Sequence, residues 1–489
     1  MTGSFQPPGG IAALLNIADP GSRITGVSQE GDAVFVDIER IETAAYCGCG
    51  RRMQSKGIRL RSVNHPVLQD GRAVTLRLKV RKWHCPECGA YSCDSYPFVE
   101  AFKRNTTLAE IMVLDKMKDP GRTCASIASD MHTSDTYVHD VFMKWVDLPR
   151  LPLCKVLLFD EVYLKTSQDE LYACVLMDWE TGEVIDILPN RFKSTIGKYL
   201  RQIPLKERDA VEYVVSDMYE TYSSLAGTYF RKAVSVIDTF HHTQPLIQGI
   251  TSYINNVKKR YKARDLAEYE KLRAEGRTPP CKFSRETRLL EKFSWMITKN
   301  SRDIDYSPRW VEPANRSPFL YNPRAKEAEL FALDPNFKKI HELKEKYVQF
   351  TADPALRNNR GKAAEELDAL IKEYSGCGIA LFKTFAGTLQ SHREGIINSF
   401  IYLPAVRSDG EAPRRISTGP LESFNNMPKD VKRISNGIKN FNYVRNRLLW
   451  ANRKNPPILG VPKTPAERHA EGKKRGPYKK GGKADDHKD

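Results

Sequence analysis

Long apolar runs are missing from this sequence, and none approaches the roughly 20 residues of a membrane-spanning helix. The apolar segment 11–15 has no basic residue before it, so a secretory signal peptide is not expected. Internal repeats are absent as well, which excludes a repeat protein. Cysteine is sparse, with 10 residues among 489. Without an export signal, these cysteines indicate a reducing, cytoplasmic location, where clustered thiols bind metal rather than form disulfides.

Acidic residues are outnumbered, with 60 against 77 basic residues and a formal net charge of +17. This excess favours a polyanionic partner, of which double-stranded DNA is the leading candidate. Apolar residues make up 40% of the chain, which is enough to form hydrophobic cores. The length of 489 residues predicts two to four domains.

Three acidic residues stand where apolar runs end or a helix begins: Asp160, Asp217 and Glu422. Asp160 follows the run 156–159 and Asp217 follows 211–215, so neighbouring strands of one sheet would bring both carboxylates to one edge. Three carboxylates can hold two Mg2+ ions about 3.5–4 Å apart, the arrangement that cuts and rejoins phosphodiesters. The alternative is that each acid only caps a helix.

Residues 151–240 alternate between apolar strands and helices. Three strands precede a helix–strand–helix–strand series, which predicts a mixed sheet covered by helices. The turn at 179–182 supports a hairpin between the second and third strands. This is the strand order of an RNase H-like fold. The predicted strands are 155–160, 171–177, 184–188, 211–217 and 234–238.

Cysteines cluster near the N terminus, where two residues separate Cys85 from Cys88 and one residue separates Cys47 from Cys49. Two thiolate pairs joined by a strand-rich loop are typical of a structural Zn2+ site in a zinc ribbon. The short spacing of the first pair leaves open whether one of its members is replaced as a ligand. The candidates for that replacement are His65, His84 and Cys93. Buried cysteines without metal are the other possibility.

Two segments before residue 150 predict DNA recognition. Residues 124–131 form a short helix, 132–134 a turn, and 135 begins a second helix, which is the helix-turn-helix pattern. The strand at 74–81 alternates apolar and basic residues. Phosphate contacts are expected from the basic strand, and base contacts from the second helix. The candidate residues are Arg77, Lys79, Arg81, Lys82, Thr136, Tyr137 and His139.

Residues 241–405 are rich in Lys and Arg and show no strand pattern, so they predict an all-helical insertion between the sheet and Glu422. Pro428 follows Glu422 closely, so the helix that begins at Glu422 is expected to be short or bent. Several basic residues after Glu422 are candidates for holding a cleaved strand. They are Lys432, Arg433, Lys439, Arg445 and Arg447.

The predicted fold class is therefore multidomain α+β. The N-terminal zinc ribbon and helix-turn-helix precede an RNase H-like α/β catalytic core, which a helical insertion interrupts. The predicted parts are a zinc-ribbon region (1–100), a helix-turn-helix domain (101–150), the first part of the core (151–240), the insertion (241–405), the second part of the core with Glu422 (406–455) and a basic disordered tail (456–489).

Four motifs, in this order and spacing, resemble those of the ISL-three family of bacterial insertion-sequence transposases. The segment 432–445 and the helix at 343–347 are also similar to that family, and the resemblance covers residues 10–450. The motifs are Phe159-Asp160-Glu161, Val215-Ser216-Asp217-Met218 with Tyr222, Ile237-Asp238-Thr239-Phe240-His241-His242, and Gly419-Pro420-Leu421-Glu422-Ser423-Phe424-Asn425-Asn426.

The resemblance implies that Asp160, Asp217 and Glu422 are a DDE catalytic triad that binds Mg2+, or Mn2+ in its place. Asp238 is the main competitor for the second position of the triad. Asp238 and His241 are assigned supporting roles, in positioning the site or the DNA. The resemblance also implies a zinc ribbon at the N terminus.

The implied function is transposition. The protein would bind terminal inverted repeats, cleave one strand with Mg2+, and use the freed 3′-hydroxyl to attack target DNA. Action on two ends requires two protomers, so a homodimer or larger assembly on DNA is expected, associated with the bacterial nucleoid when bound. The alternatives are an RNase H-like nuclease or resolvase that does not join strands, and a non-catalytic zinc-ribbon and helix-turn-helix regulator. An intact acidic trio argues against the regulator, because a pure binder has no need for negative charge beside phosphate.

Overall fold

The computed structural model divides the chain into two compact units. The terminal unit contains Met1–Pro149 and Asn426–Asp489, and the central unit contains Arg150–Asn425. The structure describes residues 15–17, 19–66, 71–166, 171–218, 220–277, 281–312, 317–404, 412–435 and 437–469.

The terminal unit begins with a five-stranded sheet of β1 (Ser22–Glu30), β2 (Ala33–Arg40), β3 (Gln54–His65), β4 (Ala73–His84) and β5 (Tyr91–Cys93). The order is β1-β2-β4-β3, with β5 paired to β4, and β2 runs parallel to β4. Val74, Leu76, Leu78 and Val80 of β4 are buried, while the residues between them are not. This alternation confirms the strand predicted at 74–81.

Three helices follow the sheet: α1 (Thr107–Lys116), α2 (Cys124–Asp130) and α3 (Asp135–Trp145). A reciprocal capping box between Thr123 and Ser126 starts α2. The Ser134 hydroxyl accepts the N–H of Tyr137 and starts α3. His132, with a φ of 49°, turns the chain between the two helices. Both helices therefore begin within a residue of the predicted positions.

The central unit is built on a mixed sheet of β6 (Val156–Tyr163), β7 (Tyr172–Asp178), β8 (Val184–Leu188), β9 (Tyr213–Ser216) and β10 (Val234–Ile237). The order is β10-β9-β6-β7-β8. β6, β7 and β8 are antiparallel neighbours, and β9 and β10 run parallel to β6. β6 continues past Asp160 to Tyr163, because Tyr163 pairs with Tyr172 of β7. The predicted strand 155–160 was therefore too short.

Helices cover this sheet and provide its core: α4 (Lys193–Arg201), α5 (Leu205–Arg208) and α6 (Glu220–Tyr229). Ile196 and Leu200 of α4 and Leu225 of α6 are buried in one cluster with Phe159 of β6. Tyr222 of α6 belongs to the same cluster and lies 5.9 Å from the Phe159 ring. Burial of these side chains fixes β6 in the centre of the unit.

The helical insertion follows β10. Two short strands, β11 (Arg309–Val311) and β12 (Phe319–Tyr321), form a hairpin within it, so the insertion is not all-helical as predicted. Three-residue strands are too short to leave a period of two in the sequence. The helices are α7 (Thr239–Ala274), α8 (Arg285–Phe293), α9 (Trp295–Thr298), α10 (Pro323–Phe331), α11 (Phe337–Ala352), α12 (Arg360–Gly376), α13 (Ala380–Ser391) and α14 (Arg393–Asn398).

The insertion packs against the edge of the sheet through α14. The Asn398 side chain donates to the Ser235 carbonyl of β10 at 2.8 Å. A Cβ atom at Gly395 would lie 2.6 Å from the Ile237 side chain, so only glycine allows this approach. The contact places the insertion directly beside the strand that precedes Asp238.

The chain then leaves the central unit. A strand pair of β13 (Tyr402–Leu403) and β14 (Arg414–Arg415) precedes α15 (Gly419–Phe424), and Asn425 is the last residue of the unit. Residues 426–455, predicted to complete the catalytic core, belong to the terminal unit instead. They contain the helices α16 (Asn426–Ile434) and α17 (Phe441–Asn452), and α18 (Pro465–His469) follows.

α17 is buried in the terminal unit. The Trp450 indole donates to the Leu114 carbonyl at 3.0 Å, and the Leu148 N–H donates to the Asn446 side chain at 3.2 Å. The N–H groups of Leu459 and Lys463 donate to the carbonyls of Trp145 and Lys144. Residues 456–469 therefore differ from the disordered tail predicted there, and the rest of that tail, 470–489, lies outside the described residues.

Candidate functional site: a carboxylate cluster and a cysteine cluster

Asp160 and Asp217 lie at the same edge of the central sheet. β6 and β9 are parallel neighbours, and Leu158 pairs with Val215. Asp160 and Asp217 each follow these partners by two residues, so both side chains emerge from the same face of adjacent strands. The two carboxylates also interact electrostatically. Burial is the main cause of the raised pKa of Asp160, and the Asp217 charge raises it further.

Asp160 is held in a buried, fixed position. The residue is only 7% exposed. The Glu161 N–H donates to Asp160 Oδ1 at 2.8 Å, and the Asn425 amide donates to Asp160 Oδ2 at 2.9 Å. Burial raises the pKa of the carboxyl to about 6. Asp160 is therefore costly to ionise unless a cation compensates its charge.

Glu422 reaches the same region from α15. Pro420 occupies the first turn of this helix, where its missing N–H costs nothing. Glu422 Oε1 lies 3.9 Å from His241 Nε2, and the Glu422 side chain is 42% exposed. The charge of His241 also acts on the pKa of Asp160. His241 therefore lies near both acids, and its supporting role stays a prediction.

The three carboxylates are more widely spaced than the ligands of one ion. Among the residues that the structure describes, only Cys47, Cys49, Cys85 and Cys88 bring three or more ligand atoms within 4.8 Å of one another. The ligand atoms of a two-ion site can lie farther apart than those of a one-ion site. Two Mg2+ ions about 4 Å apart, with ligands about 2.1 Å from each, spread their ligands over roughly 8 Å. The oxygens of Asp160, Asp217 and Glu422 are the hard ligands that Mg2+ prefers, and the two-ion site stays a prediction.

Asp238 is engaged as a structural bridge. Its Oδ1 accepts the N–H of Phe240 at the start of α7, and its Oδ2 accepts the N–H of Thr418 just before α15, both at 2.8 Å. Asp238 is 4% exposed. Both oxygens are occupied by backbone N–H groups, so Asp238 connects the end of β10 to the helix that carries Glu422. This supports Asp217, rather than Asp238, as the second acid.

Asp238→Ala is expected to lower the unfolding temperature by several degrees. It leaves the buried N–H of Thr418 without an acceptor, at about 1–3 kcal/mol, and removes the cap at the start of α7. Asp217→Ala is expected to lower it less, since removing Asp217 also relieves repulsion of Asp160. Thermal unfolding of the two variants in the absence of divalent metal measures the difference. An Asp238→Ala protein that melts like wild type would contradict the structural role assigned to Asp238.

Asn425 is a site residue that the sequence motifs contain but sequence reasoning did not assign. Besides Asp160, its amide approaches the Glu161 carbonyl at 3.4 Å. It stands three residues after Glu422, which places both on one side of a helix, and this spacing was the available signal. α15 ends at Phe424 and Pro428 lies in α16, so the helix of Glu422 is short, the first of the two predicted possibilities.

His242 packs inside the protein, whereas the neighbouring His241 lies beside Glu422. It is fully buried, and its Nδ1 lies 2.6 Å from the Tyr347 hydroxyl of α11. Burial lowers the pKa of His242 to about 3, so the ring is neutral. The contact ties the insertion to the start of α7, where His241 stands.

The four cysteines form one compact cluster in the terminal unit. Cys47 Sγ lies 3.4 Å from Cys88 Sγ, and Cys49 Sγ lies 3.6 Å from Cys85 Sγ. These separations match a tetrahedron of thiolates about 2.3 Å from a central Zn2+. Both members of the closely spaced first pair lie within the cluster, whereas His65, His84 and Cys93 do not.

The other candidate ligands of this cluster are engaged elsewhere. The His65 ring is 5% exposed and contacts the Leu15 carbonyl and the Thr106 hydroxyl. Cys93 is exposed on β5, and the His84 ring packs against Tyr91. Backbone N–H groups, first that of Cys88, lower the pKa of Cys85 to about 7. Such N–H groups favour the thiolate that binds a metal.

The basic residues predicted on β4 are largely compensated. Arg77 donates to both oxygens of Asp37 at 2.8 Å, and Lys79 Nζ lies 2.9 Å from Glu39. Arg81 packs over the Trp83 ring at 5.1 Å. Lys82 has the opposite parity and therefore points away from the face of the other three. The prediction that all four residues share one basic face is wrong, because Lys82 does not share it.

The predicted base-reading residues of α3 differ in accessibility. Thr136 and His139 line a cavity of about 560 Å3, and the His139 ring stacks on Tyr443 at 4.9 Å. The Tyr137 hydroxyl is buried, and burial raises its pKa. Tyr137 is half-buried and its hydroxyl faces the interior, which disfavours it as a base reader, whereas Thr136 is exposed.

The predicted basic residues after Glu422 also differ in how deeply they are buried. Arg447 is 3% exposed and donates to the carbonyls of Met117, Asp119 and Arg122. This buried position excludes a DNA contact, so the prediction for Arg447 is wrong. Arg445 donates to the Leu148 carbonyl at 2.9 Å and is half-buried. Those on the surface are Lys432, Arg433 and Lys439, and they stay predictions.

A family model described as "Transposase", DDE_Tnp_ISL3, matches residues 157–448. The match covers more than half of the chain and includes Asp160, Asp217 and Glu422. A comparison with curated proteins finds no match. Within the described residues, no helix has the length and apolar character to cross a bilayer. The match confirms the resemblance of the sequence motifs, and the chain belongs to the ISL3 family of transposases.

Proposed function

We propose that this protein is a DDE transposase that binds the terminal inverted repeats of an insertion sequence, cleaves DNA strands with Mg2+ and joins the freed 3′-hydroxyl to target DNA. The observation that carries the proposal is the register of β6 and β9, which brings Asp160 beside Asp217 at the sheet edge that Glu422 also reaches. The strand order β8-β7-β6-β9-β10 supports an RNase H-like core.

Asp160, Asp217 and Glu422 would hold the magnesium ions. When bound, the ions supply activation of the attacking oxygen and stabilisation of the leaving oxygen at phosphorus. Asn425 keeps Asp160 in one orientation by donating to Oδ2. His241, whose Nε2 has no hydrogen-bond partner among the described residues, is placed to donate to a phosphate oxygen beside Glu422. The exposure of Glu422 leaves this side of the site open to DNA.

Asp160 gives the metal-free protein a defined pH dependence. Its pKa is raised from 3.8 to about 6, so the folded protein binds the proton more tightly than the unfolded chain does. This contribution to the free energy of unfolding is complete below the unfolded value and lost as the pH rises through about 6, in total about 3 kcal/mol.

We expect Asp160→Asn to be more stable than wild type near pH 8 and equally stable near pH 3, because the amide stays neutral throughout. Thermal unfolding of both proteins with chelator at several pH values measures the difference. A difference that does not change between these two pH values would contradict the assigned burial of the ionised carboxyl.

The cysteine cluster and the two helices after it support a DNA-recognition role for the terminal unit. Cys47, Cys49, Cys85 and Cys88 would bind one structural Zn2+ and so stabilise a zinc ribbon. α2 and α3, with the sharp turn at His132, support the helix-turn-helix assignment. Recognition of two element ends requires at least a homodimer.

A strand-transfer assay with pre-cleaved element ends tests the proposal. Joined product with the wild-type protein, and none with Glu422→Gln, is the expected result. Cleavage of intact ends without joining would instead favour an RNase H-like nuclease or resolvase. Binding of the ends without any cleavage or joining would favour the non-catalytic regulator.

A further inference from the structure

One strand of the terminal unit carries exposed positive charge along its length. All residues of β3 from Gln54 to Leu60 are exposed, although the strand belongs to a five-stranded sheet. Arg52 lies two residues before this segment, and Lys56 and Arg59 lie within it. The segment leads directly away from Cys47 and Cys49, so the cysteine cluster anchors its start.

The geometry of β3 explains this exposure. β3 is an edge strand that pairs only with β4. The pairing skips two residues between Ser55 and Ile58, and Gly57 has a φ of 122°. This bulge interrupts the regular alternation of the strand, and Lys56 within it and Arg59 just after it are both exposed. Neighbouring Arg61 is not part of the exposed set, because its guanidinium donates to the carbonyl of Glu100.

No carboxylate of the described residues pairs with Arg52, Lys56 or Arg59. Several cations on the other strands of this sheet are paired, since Arg77 pairs with Asp37, and both Arg23 and Lys79 pair with Glu39. Arg81 and Lys82 of β4 pack over the rings of Trp83 and Tyr91. Uncompensated cations on one strand, beside compensated cations on the next, indicate that the first strand meets a negatively charged partner.

We propose that the outer edge of β3, from Arg52 to Arg59, contacts the phosphates of double-stranded DNA without reading its sequence. An extended strand rises about 3.3 Å per residue, so these cations span roughly 20 Å, enough for several phosphates of a duplex. The inference rests on the proposed function only in requiring that the protein binds DNA. It moves the main phosphate contact from β4, where the sequence predicts it, to β3.

The test compares two triple variants with the same change in net charge. One is Arg52→Gln, Lys56→Gln and Arg59→Gln, and the control is Arg23→Gln, Arg77→Gln and Lys79→Gln. The dissociation constant of the full-length protein is measured between about 50 and 300 mM NaCl, for an element-end duplex and an unrelated duplex of equal length. Zinc content and thermal unfolding establish that both variants remain folded.

The β3 variant is expected to reduce the slope of log K against log[NaCl] by about 2.7, equally for both duplexes, because each phosphate contact contributes about 0.9. The control is expected to change the slope by less than about 1. An unchanged slope for the β3 variant would overturn the inference. The charges would then be explained by a role in preventing the edge strand from pairing with another chain. A loss confined to the element-end duplex would also overturn it.

The outcome is separable from that of the strand-transfer assay. A protein that shows the β3 effect but neither cleaves nor joins DNA supports the inference and contradicts the proposed function. If the protein joins strands but the β3 variant has the same salt dependence as wild type, the result supports the proposed function and contradicts the inference.

Discussion

Asp160→Asn is expected to abolish strand cleavage and strand joining while leaving DNA binding intact. The amide has nearly the same shape but cannot supply the negative charge that a divalent ion requires. A metal clamp contributes several kcal/mol to transition-state stabilisation, and about 4 kcal/mol corresponds to a thousand-fold change in rate. Single-turnover cleavage of a labelled element end measures the rate, and the dissociation constant is measured in parallel.

The matched control for Asp160→Asn is Glu212→Gln. Glu212 is an exposed acid on the same sheet, just before β9, and it pairs with Lys155 at 3.1 Å. Its replacement is expected to leave cleavage within about two-fold of wild type, since exposed ion pairs contribute little. Full activity of Asp160→Asn would remove Asp160 from the site and with it the proposed mechanism.

Cys85→Ser is expected to remove bound zinc and the structure around it. Cys85 is fully buried, and its Sγ lies 3.6 Å from Cys49 Sγ. Structural Zn2+ contributes about 10–16 kcal/mol in small zinc-binding peptides, far more than one side chain can replace. Elemental analysis is expected to fall from one zinc per chain to near zero. DNA affinity is expected to fall with it, because β3 leads away from this cluster.

The control for Cys85→Ser is Cys93→Ser, which changes an exposed cysteine of the same unit outside the cluster. It is expected to keep both zinc and DNA affinity. Loss of zinc in both variants would place Cys93 among the ligands. Wild-type protein purified without zinc, and unaffected by chelator, would exclude the metal site altogether.

The sheet of the central unit was predictable because its strands are short apolar runs separated by turns and helices. All five strands lie within a few residues of their predicted positions. The end of β6 was missed because its last residues are held by β7 rather than by their own pattern. The position of Asp160 and Asp217 at one sheet edge followed from the prediction that their strands are neighbours, and β6 and β9 are parallel neighbours.

The contacts of long polar side chains were not predictable. Arg447 and Arg433 look alike in the sequence, but one is buried against three carbonyls and the other pairs with Asp430 on the surface. Nothing local distinguishes them, because the partners of Arg447 lie more than 300 residues away. The same holds for Asn425, whose role depends on Asp160 and hence on the complete fold.

The terminal unit is assembled from both ends of the chain, and this has a consequence for synthesis. Arg447 and Trp450 fill positions beside α1 that stay empty while the ribosome is still translating the central unit. Because domains fold as they emerge, the central unit can form first. The N-terminal helices cannot complete their packing until α17 has been synthesised. A prematurely terminated product would therefore contain the residues of the central unit, whereas its terminal unit would lack α17.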